Sequence, residues 1–514
     1  MRAATMTAWA ALLALLPLQC ALAQTNFIAS EIPLGEWPDE LFFEDMDGDG
    51  RKDLLVPRWS ADTGRELAIY LQQDDGRFPA TPSRLVEIKP EIIAITLADV
   101  RAEPGMELLL FSANAVFSLS SAIPSYSGNL KPLFDWDLVA SVPERKRVLF
   151  FPTPQDIDGD GYVDLLLPGR ADYGLFRGQP DEGFSLAHRF NTINEELDPA
   201  EVPIGGARLQ TEFTINERDG IILRVSAQSN SAFQDFVSEW SQESQDSLLS
   251  TRLWRPSAAL MALNEDEAQD ILFMNIGNDL YGQINVLLQT PTGSFAAKPD
   301  WQGSIDTRGD IRLLDVNGDG MSDLLRIIDK SGEWDVHFHL NKGGRFDLQQ
   351  ADQVMKFSGY DLNVAVTDLN RDGVQQLSIS YYTIPVVNAV RNASIVRSQL
   401  LFTQSKGGAA FNNRPDFRLD QNFSADAVRG LSAQLNMQAD IDRDGRRDML
   451  YLSDEGTLAA KAIDATLRLS DKAFWQYVPT RTIVDFGTLD LNGDGVEDIY
   501  LNHSTALTLL VSSP

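Results

Sequence analysis

Short apolar runs separated by polar turns dominate the chain, and apolar residues rarely recur at the three-to-four spacing of a helix. Runs at 94–98, 311–314 and 364–367 lead into acidic turns, and DLLV at 53–56 or DLLL at 164–167 leads out of them. A further run follows, as at 66–71 or 173–176, then a turn containing Gly or Asp, then a fourth run. Strands that are nearly continuously apolar predict burial on both faces, as in sheets stacked against one another.

The acidic turns repeat. Their pattern is Asp-x-Asp/Asn-x-Asp-Gly-x-x-Asp, and the clearest copies begin at Asp45, Asp156, Asp315, Asp440 and Asp490. A sixth begins at Asp368, with Gln376 in place of the last acid, and two eroded copies begin at Asp99 and Ala262. Most starts lie about 53 residues apart, with one interval (156 to 262) twice that length and one (368 to 440) longer by a loop. Four short strands per repeat of this length predict an all-β fold, a single β-propeller of four-stranded blades. Eight loops imply eight blades. Seven or nine stay open, because 156–262 holds either an eroded repeat near 208–225 or one repeat with a large insertion. The segment 26–34 reads as one strand more than the first blade needs, and the last blade as one strand short. Pairing the two would close the ring and cover a bare sheet edge.

The loop chemistry points to a hard cation. Calcium takes six to eight oxygens at about 2.3–2.6 Å, largely from carboxylates and carbonyls. Acids at positions one, three and five face one centre when the chain curls, a backbone carbonyl serves at seven, and the acid at nine clamps the far side. Glycine at six permits the sharp turn. The first loop thus offers Asp45, Asp47, Asp49 and Asp53, with Arg51 as carbonyl donor. The second offers Asp156, Asp158, Asp160 and Asp164 with Tyr162; the third, Asp315, Asn317, Asp319 and Asp323 with Met321. Asp440, Asp442, Asp444 and Asp448 follow with Arg446, and Asp490, Asn492, Asp494 and Asp498 with Val496. Asp368, Asn370 and Asp372 form a weaker sixth set. Clustered carboxylates repel one another without a cation, so about five calcium ions are expected, with a sixth at the Asp368 loop. Arg101 and Pro104 spoil the Asp99 loop, where a salt bridge could replace the ion; the Ala262 loop keeps Asn264, Asp266 and Asp270 but lacks the first acid and the glycine.

At these residues the chain resembles the FG-GAP/VCBS repeat proteins, whose blades also build the head of integrin α chains. GDGYVDLLLPG at 159–169 and NGDGMSDLL at 317–325 carry the resemblance, which extends over nearly all of the chain after residue 23. It implies a propeller, structural calcium at the blade edges and binding surfaces elsewhere on the ring. It implies no particular activity.

Composition narrows the partner. With 74 acidic against 43 basic residues the formal charge is −31, which argues against nucleic acid and anionic lipid. Residues 1–23 read as an export signal, with an apolar run from 8 to 18 and Ala21-Leu22-Ala23 as the cleavage pattern. No later stretch reaches membrane-spanning length, so a periplasmic or extracellular location is expected. Removing Cys20 with the signal would leave no cysteine for disulfides.

Four histidines occur, His188, His337, His339 and His503, and no nucleophile elbow, HExxH or phosphate loop accompanies them. His337 and His339 would share a strand face, more simply as surface residues than as a metal pair. The scattered tryptophans read mainly as packing between blades. Phe233, Phe236 and Trp240 suggest a short amphipathic helix within a polar insertion near 190–250, and a second insertion is expected near 405–430. The leading expectation is a non-catalytic module that binds or scaffolds a protein or glycan. The alternative is a carbohydrate-active enzyme on the same scaffold, since paired carboxylates leave little local signature.

Overall fold

The apolar runs become strands because each has two neighbours to pack against. In the computed structural model, eight antiparallel sheets follow one another along the chain and stand in a ring as eight blades. It describes residues 26–38, 40–121, 123, 129–138, 146–169, 172–191, 208–216, 220–228, 258–266, 268–276, 281–306, 308–383, 394–405, 410–424, 436–453 and 455–513. The proposed export signal and the Phe233–Trp240 segment lie outside these residues. The described residues include no helix long and apolar enough to cross a membrane.

Blade 1 consists of Phe42–Glu44, Asp53–Ser60, Gly64–Tyr70 and Arg84–Ile88. Blades 2 to 7 span 94–135, 155–191, 258–306, 310–358, 360–424 and 436–477. Among the described residues, the first strand of blades 3 and 7 is a single bridge, Gln155 with Asp164 and Asn436 with Leu450. Blade 8 holds Asp485–Leu489, Asp498–Asn502 and Ala506–Ser513, and Asn26–Pro33 is its fourth strand, antiparallel to Ala506–Ser513 over their full register. The two ends of the described chain therefore close the ring, as the sequence predicts.

Burial alternates along each strand between the two neighbouring blades. In blade 1, Leu55, Leu67 and Ile69 pack with Ile95, Leu97 and Leu108 of blade 2. The intervening Leu54, Val56, Ala68 and Tyr70 pack with Leu507, Leu509 and Val511 of blade 8. Comparable apolar clusters lie at every other blade junction, including Tyr173, Leu175 and Phe190 of blade 3 against Ile271 and Phe273 of blade 4. Strands buried on both faces need no polar alternate, which explains the continuous runs.

Among the described residues, the long 156–262 interval adds no further blade. Blade 3 meets blade 4 directly, and the intervening residues include a hairpin of Arg208–Asn216 with Gly220–Gln228. Ile221–Leu223 of that hairpin pair with Ile311–Leu313, the first strand of blade 5. First strands lie toward the centre of the ring, where those of neighbouring blades converge: Leu149–Phe150, entering blade 3, pairs in parallel with Ala94–Ile95 of blade 2. The hairpin thus adds to the inner edge of blade 5. Within the other proposed insertion, Phe417–Ser424 is the fourth strand of blade 6.

Ring closure can be tested at Ile32, which is fully buried in the junction of blades 8 and 1. Ile32→Ala should cost about 2–5 kcal/mol, read from the urea midpoint. A change below about 0.5 kcal/mol would mean that the N-terminal strand is not docked.

Candidate metal centres

Each acidic loop joins the first strand of a blade to its second, so all of them open on one face of the ring. The first acid organises the curl. Asp45 Oδ1 accepts the backbone N–H of Gly48 at 2.7 Å, with longer bonds from Asp47 and Asp49, and its Oδ2 accepts that of Gly50 at 2.8 Å. Asp156 and Asp315 repeat the set, and Asp368, Asp440 and Asp490 keep the bond from the glycine at position six. The fifth acid accepts the N–H of position seven: Asp49 from Arg51, Asp160 from Tyr162, Asp319 from Met321, Asp372 from Val374, Asp444 from Arg446 and Asp494 from Val496.

Position four matters as much as position six. It is left-handed in every one of these six loops, as glycine in four and as Arg371 (φ 51°) and Arg443 (φ 61°) in the others. Glycine adopts this conformation without strain, whereas an arginine is uncommon there. The two arginines gain ion pairs in return: Arg371 with Glu497 at 3.1 Å and Arg443 with Asp494 at 3.3 Å, both in the loop of blade 8.

The ninth acid has a role in the fold that its spacing does not disclose. Asp53 is fully buried. Its Oδ2 accepts the N–H of Met46 at 2.9 Å, and its Oδ1 accepts that of Gln72, just beyond the third strand, at 2.8 Å. One carboxylate thereby ties the loop to two strands. Asp164, Asp323 and Asp498 do the same with Ile157 and Gly178, Val316 and Asn341, and Leu491 and Ser512. Asp448 accepts from Ile441. The bond to position two persists where the acid is lost or the loop eroded: Gln376 accepts from Leu369, Glu107 from Val100 and Asp270 from Leu263. Position two is itself apolar in each case, and all but Val100 are buried in the core between blades.

Burial raises these acids strongly. Asp53, Asp323 and Asp498 are pushed up to about 7, and Asp448 to about 8 with the repulsion of Asp442 added. Asp47 is raised by burial and by Asp49 and Asp45; Asp440 and Asp442 are raised by burial and by Asp444. A cation among them would reverse that tendency.

The residues present fit a hard divalent ion. Carboxylate oxygens of Asp45, Asp47 and Asp53 lie within 4.8 Å of one another, as do those of Asp156, Asp158 and Asp164, and of Asp440, Asp442 and Asp448. Two third-position oxygens, Asp47 Oδ1 and Asn370 Oδ1, are buried without a hydrogen-bond partner. An oxygen buried in this state lacks the donor or cation that would compensate its desolvation. Arginines neutralise part of the remaining charge: Arg51 pairs with Asp49 and Asp74, Arg177 with Asp164 at 2.6 Å and Asp158 at 3.4 Å, and Arg446 with Asp444.

The eroded loops differ. Arg101 does not pair with the loop acids; its buried guanidinium bonds to Ser118 and Asn129. The salt bridge expected at this loop comes instead from Lys131, 3.9 Å from Glu103 and 3.0 Å from Glu182 of blade 3. In the Ala262 loop, Asn264 and Asp266 bond to each other.

Neighbouring loops are joined into a belt. The position-eight N–H of one loop donates to a carbonyl of the preceding loop in four junctions: Lys52 to Leu491 (2.7 Å), Met106 to Asp45 (2.9 Å), Ser322 to Ala262 (2.8 Å) and Arg447 to Leu369 (2.9 Å). Elsewhere a buried amide bridges, as Gln289 does between Ile157 and Gln269.

The histidine pair forms no centre among the described residues. His337 and His339 have ring centroids 6.3 Å apart, and His339 is buried, its Nδ1 bonded to the carbonyl of Asp347. Trp136 and Trp475 are buried and Trp301 and Trp334 pack on the core, whereas Trp59 is exposed under Lys146. Trp240 and Trp254 lie outside the described residues.

No protein-family model matches the chain, and no curated protein matches it in sequence. Solved structures do. An Agrocybe aegerita lectin described as recognising non-reducing terminal N-acetylglucosamine is similar over 78% of this chain and 90% of its own, at 13% identity and a TM-score of 0.39. BBS1N, solved in complex with ARL6DN, covers 94% of each chain at 9% identity and a TM-score of 0.33. The Pseudomonas aeruginosa periplasmic gluconolactonase PpgL covers 87% of this chain and 96% of its own, at 11% identity and a TM-score of 0.28.

The ninth-position role can be probed at Glu107, which burial pushes up to about 7 from 4.5. Its folded pKa exceeds its unfolded value, so its contribution to stability is complete at low pH and falls as pH rises from about 4.5 to 7. Glu107→Gln keeps an acceptor, as Gln376 does in blade 6, and removes that slope. The variant's stability relative to the parent should therefore rise between pH 5 and pH 8 in urea unfolding; a constant difference would show that Glu107 does not titrate there.

Proposed function

We propose that this chain is an exported, calcium-stabilised propeller of the FG-GAP/VCBS kind that serves as a rigid binding or scaffolding module for a protein or glycan. The observation that carries the calcium reading is the pair of buried, unpartnered third-position oxygens, Asp47 Oδ1 and Asn370 Oδ1, inside loops whose other acids are already turned inward by backbone N–H groups. Five full loops and the Asp368 loop supply the oxygen ligands that calcium prefers over softer metals. Because the belt joins loops of adjacent blades, ions there would stiffen blade junctions, which suits a structural role. The export pattern in residues 1–23 supports a location where calcium is plentiful.

Ions that bind only the folded ring stabilise it by mass action, about 2.7 kcal/mol per site at a hundredfold excess over Kd. Thermal unfolding with calcium and with a chelator, together with ion stoichiometry, should show a large upward shift and five or six ions. Asp315→Ala should remove one ion and leave the others. No shift and no bound ion would reduce the loops to turns and end this reading.

A further inference from the structure

The face opposite the acidic loops holds a cavity of about 470 Å3 between blades 2 and 3, lined by Asn114, Asp135, Trp136, Asp137, Gly169, Asp172 and Arg189. Its position follows from the strand order. Asn114 and Gly169 lie in turns from second to third strands, and Asp135 and Arg189 at the ends of fourth strands, all on the side away from the first-to-second loops.

Its groups are held in place. Trp136 is buried, its Nε1 donates to the Pro168 carbonyl at 3.0 Å, and its ring meets Phe176 edge-on at 5.0 Å. A Cβ at Gly169 would come within 2.5 Å of the indole and one at Gly174 within 2.8 Å, so only glycine admits the ring here. Arg189, opposite Gly174 in the strand register, lies 4.9 Å over the indole centroid and pairs with Asp172 at 3.0 Å. Stacking and ion pairing together fix a guanidinium at the cavity. Asp135 and Asp137 are exposed at the same cavity, and their carboxylates have no hydrogen-bond or ion-pair partner among the described residues.

We infer that this cavity is a binding site for a neutral, polyhydroxylated ligand, a hexose-type sugar unit of a glycan. This rests on the reading of the chain as a binding module and names its ligand class. Fixed N–H donors and two carboxylates unpaired among the described residues converge on one space, and a sugar hydroxyl both donates and accepts. A cationic peptide side chain would use the acids but leave the guanidinium donors of Arg189 unmatched. A uronate would use those donors but meet Asp135 and Asp137, whose charge is not compensated by Arg189, already paired with Asp172. A neutral sugar uses both sets, and the volume lies within the range of small-molecule sites.

The calcium-loaded full chain is tested against neutral hexose oligosaccharides, polyuronates and lysine-rich peptides. Arg189→Met, which keeps the stem over Trp136, and Asp135→Ala/Asp137→Ala are compared with the parent. The expected result is retention of a neutral oligosaccharide, weakened about tenfold or more in both variants, with unfolding temperature and ion count unchanged. Binding unaffected by either variant overturns this site and leaves the binding-module reading standing. Preference for polyuronate or lysine-rich peptide overturns the ligand class, as does no retained sugar at millimolar concentration. Turnover of a bound oligosaccharide with loss in the variants keeps the site and overturns the non-catalytic reading.

Discussion

One buried acceptor at the ninth loop position underlies the rest of this molecule. In blade 1, Asp53 takes N–H groups from Met46 and Gln72, fixing where the loop ends, how the first three strands register and which side chain enters the core at position two. The substitutions show what is essential. Gln376 and Glu107 keep the acceptor for the position-two N–H while changing its charge or length. Burying an ionised carboxylate is costly, and hydrogen bonds repay only part of that cost. What the fold needs is the acceptor; the charge answers a different requirement.

That second requirement sits in positions one, three and five, and it erodes independently. The Asp99 and Ala262 loops have lost acids from these positions while keeping Glu107 and Asp270 buried and bonded to position two. Their blades still stand in the ring, joined to neighbours by the same belt bonds, Met106 to Asp45 and Ser322 to Ala262. Apolar clusters and backbone hydrogen bonds therefore set the architecture, and the ions proposed for the loops would act on top of it. With a formal charge of −31 and six loops that each gather several acids on one face of the ring, bound cations would act chiefly by relief of repulsion.

The blades were legible because the pattern is local and repeated: acids at fixed spacing between apolar runs, and a spare strand at one end matching a missing one at the other. The 156–262 interval was not, since length and strand type alone do not distinguish a blade from a hairpin. The pairing of Ile221–Leu223 with Ile311–Leu313 joins residues about ninety apart. The partners of Arg101 were hidden for the same reason. Its sequence neighbours are acids, but its guanidinium reaches Ser118 and Asn129, set beside it by strand pairing. Position four had a signal, glycine in four loops of six, yet Arg371 and Arg443 obscured it. Their left-handed backbone is offset by ion pairs with the loop of blade 8, which no local pattern encodes.

The cavity by Trp136 shows where such a scaffold leaves room for specificity. Repeat positions are committed, to the staple, the core or the belt, and a change at one is felt by two blades. The second-to-third turn and the start of the third strand carry no such duty, so Gly169 and Gly174 could open space for an indole, and Arg189 could fold over it, without touching an acidic loop. On the proposed reading, stability and recognition occupy opposite faces of the same strands. The rigid blades transmit position from one face to the other, so that a guanidinium stacked on a buried ring stays fixed with little additional support of its own.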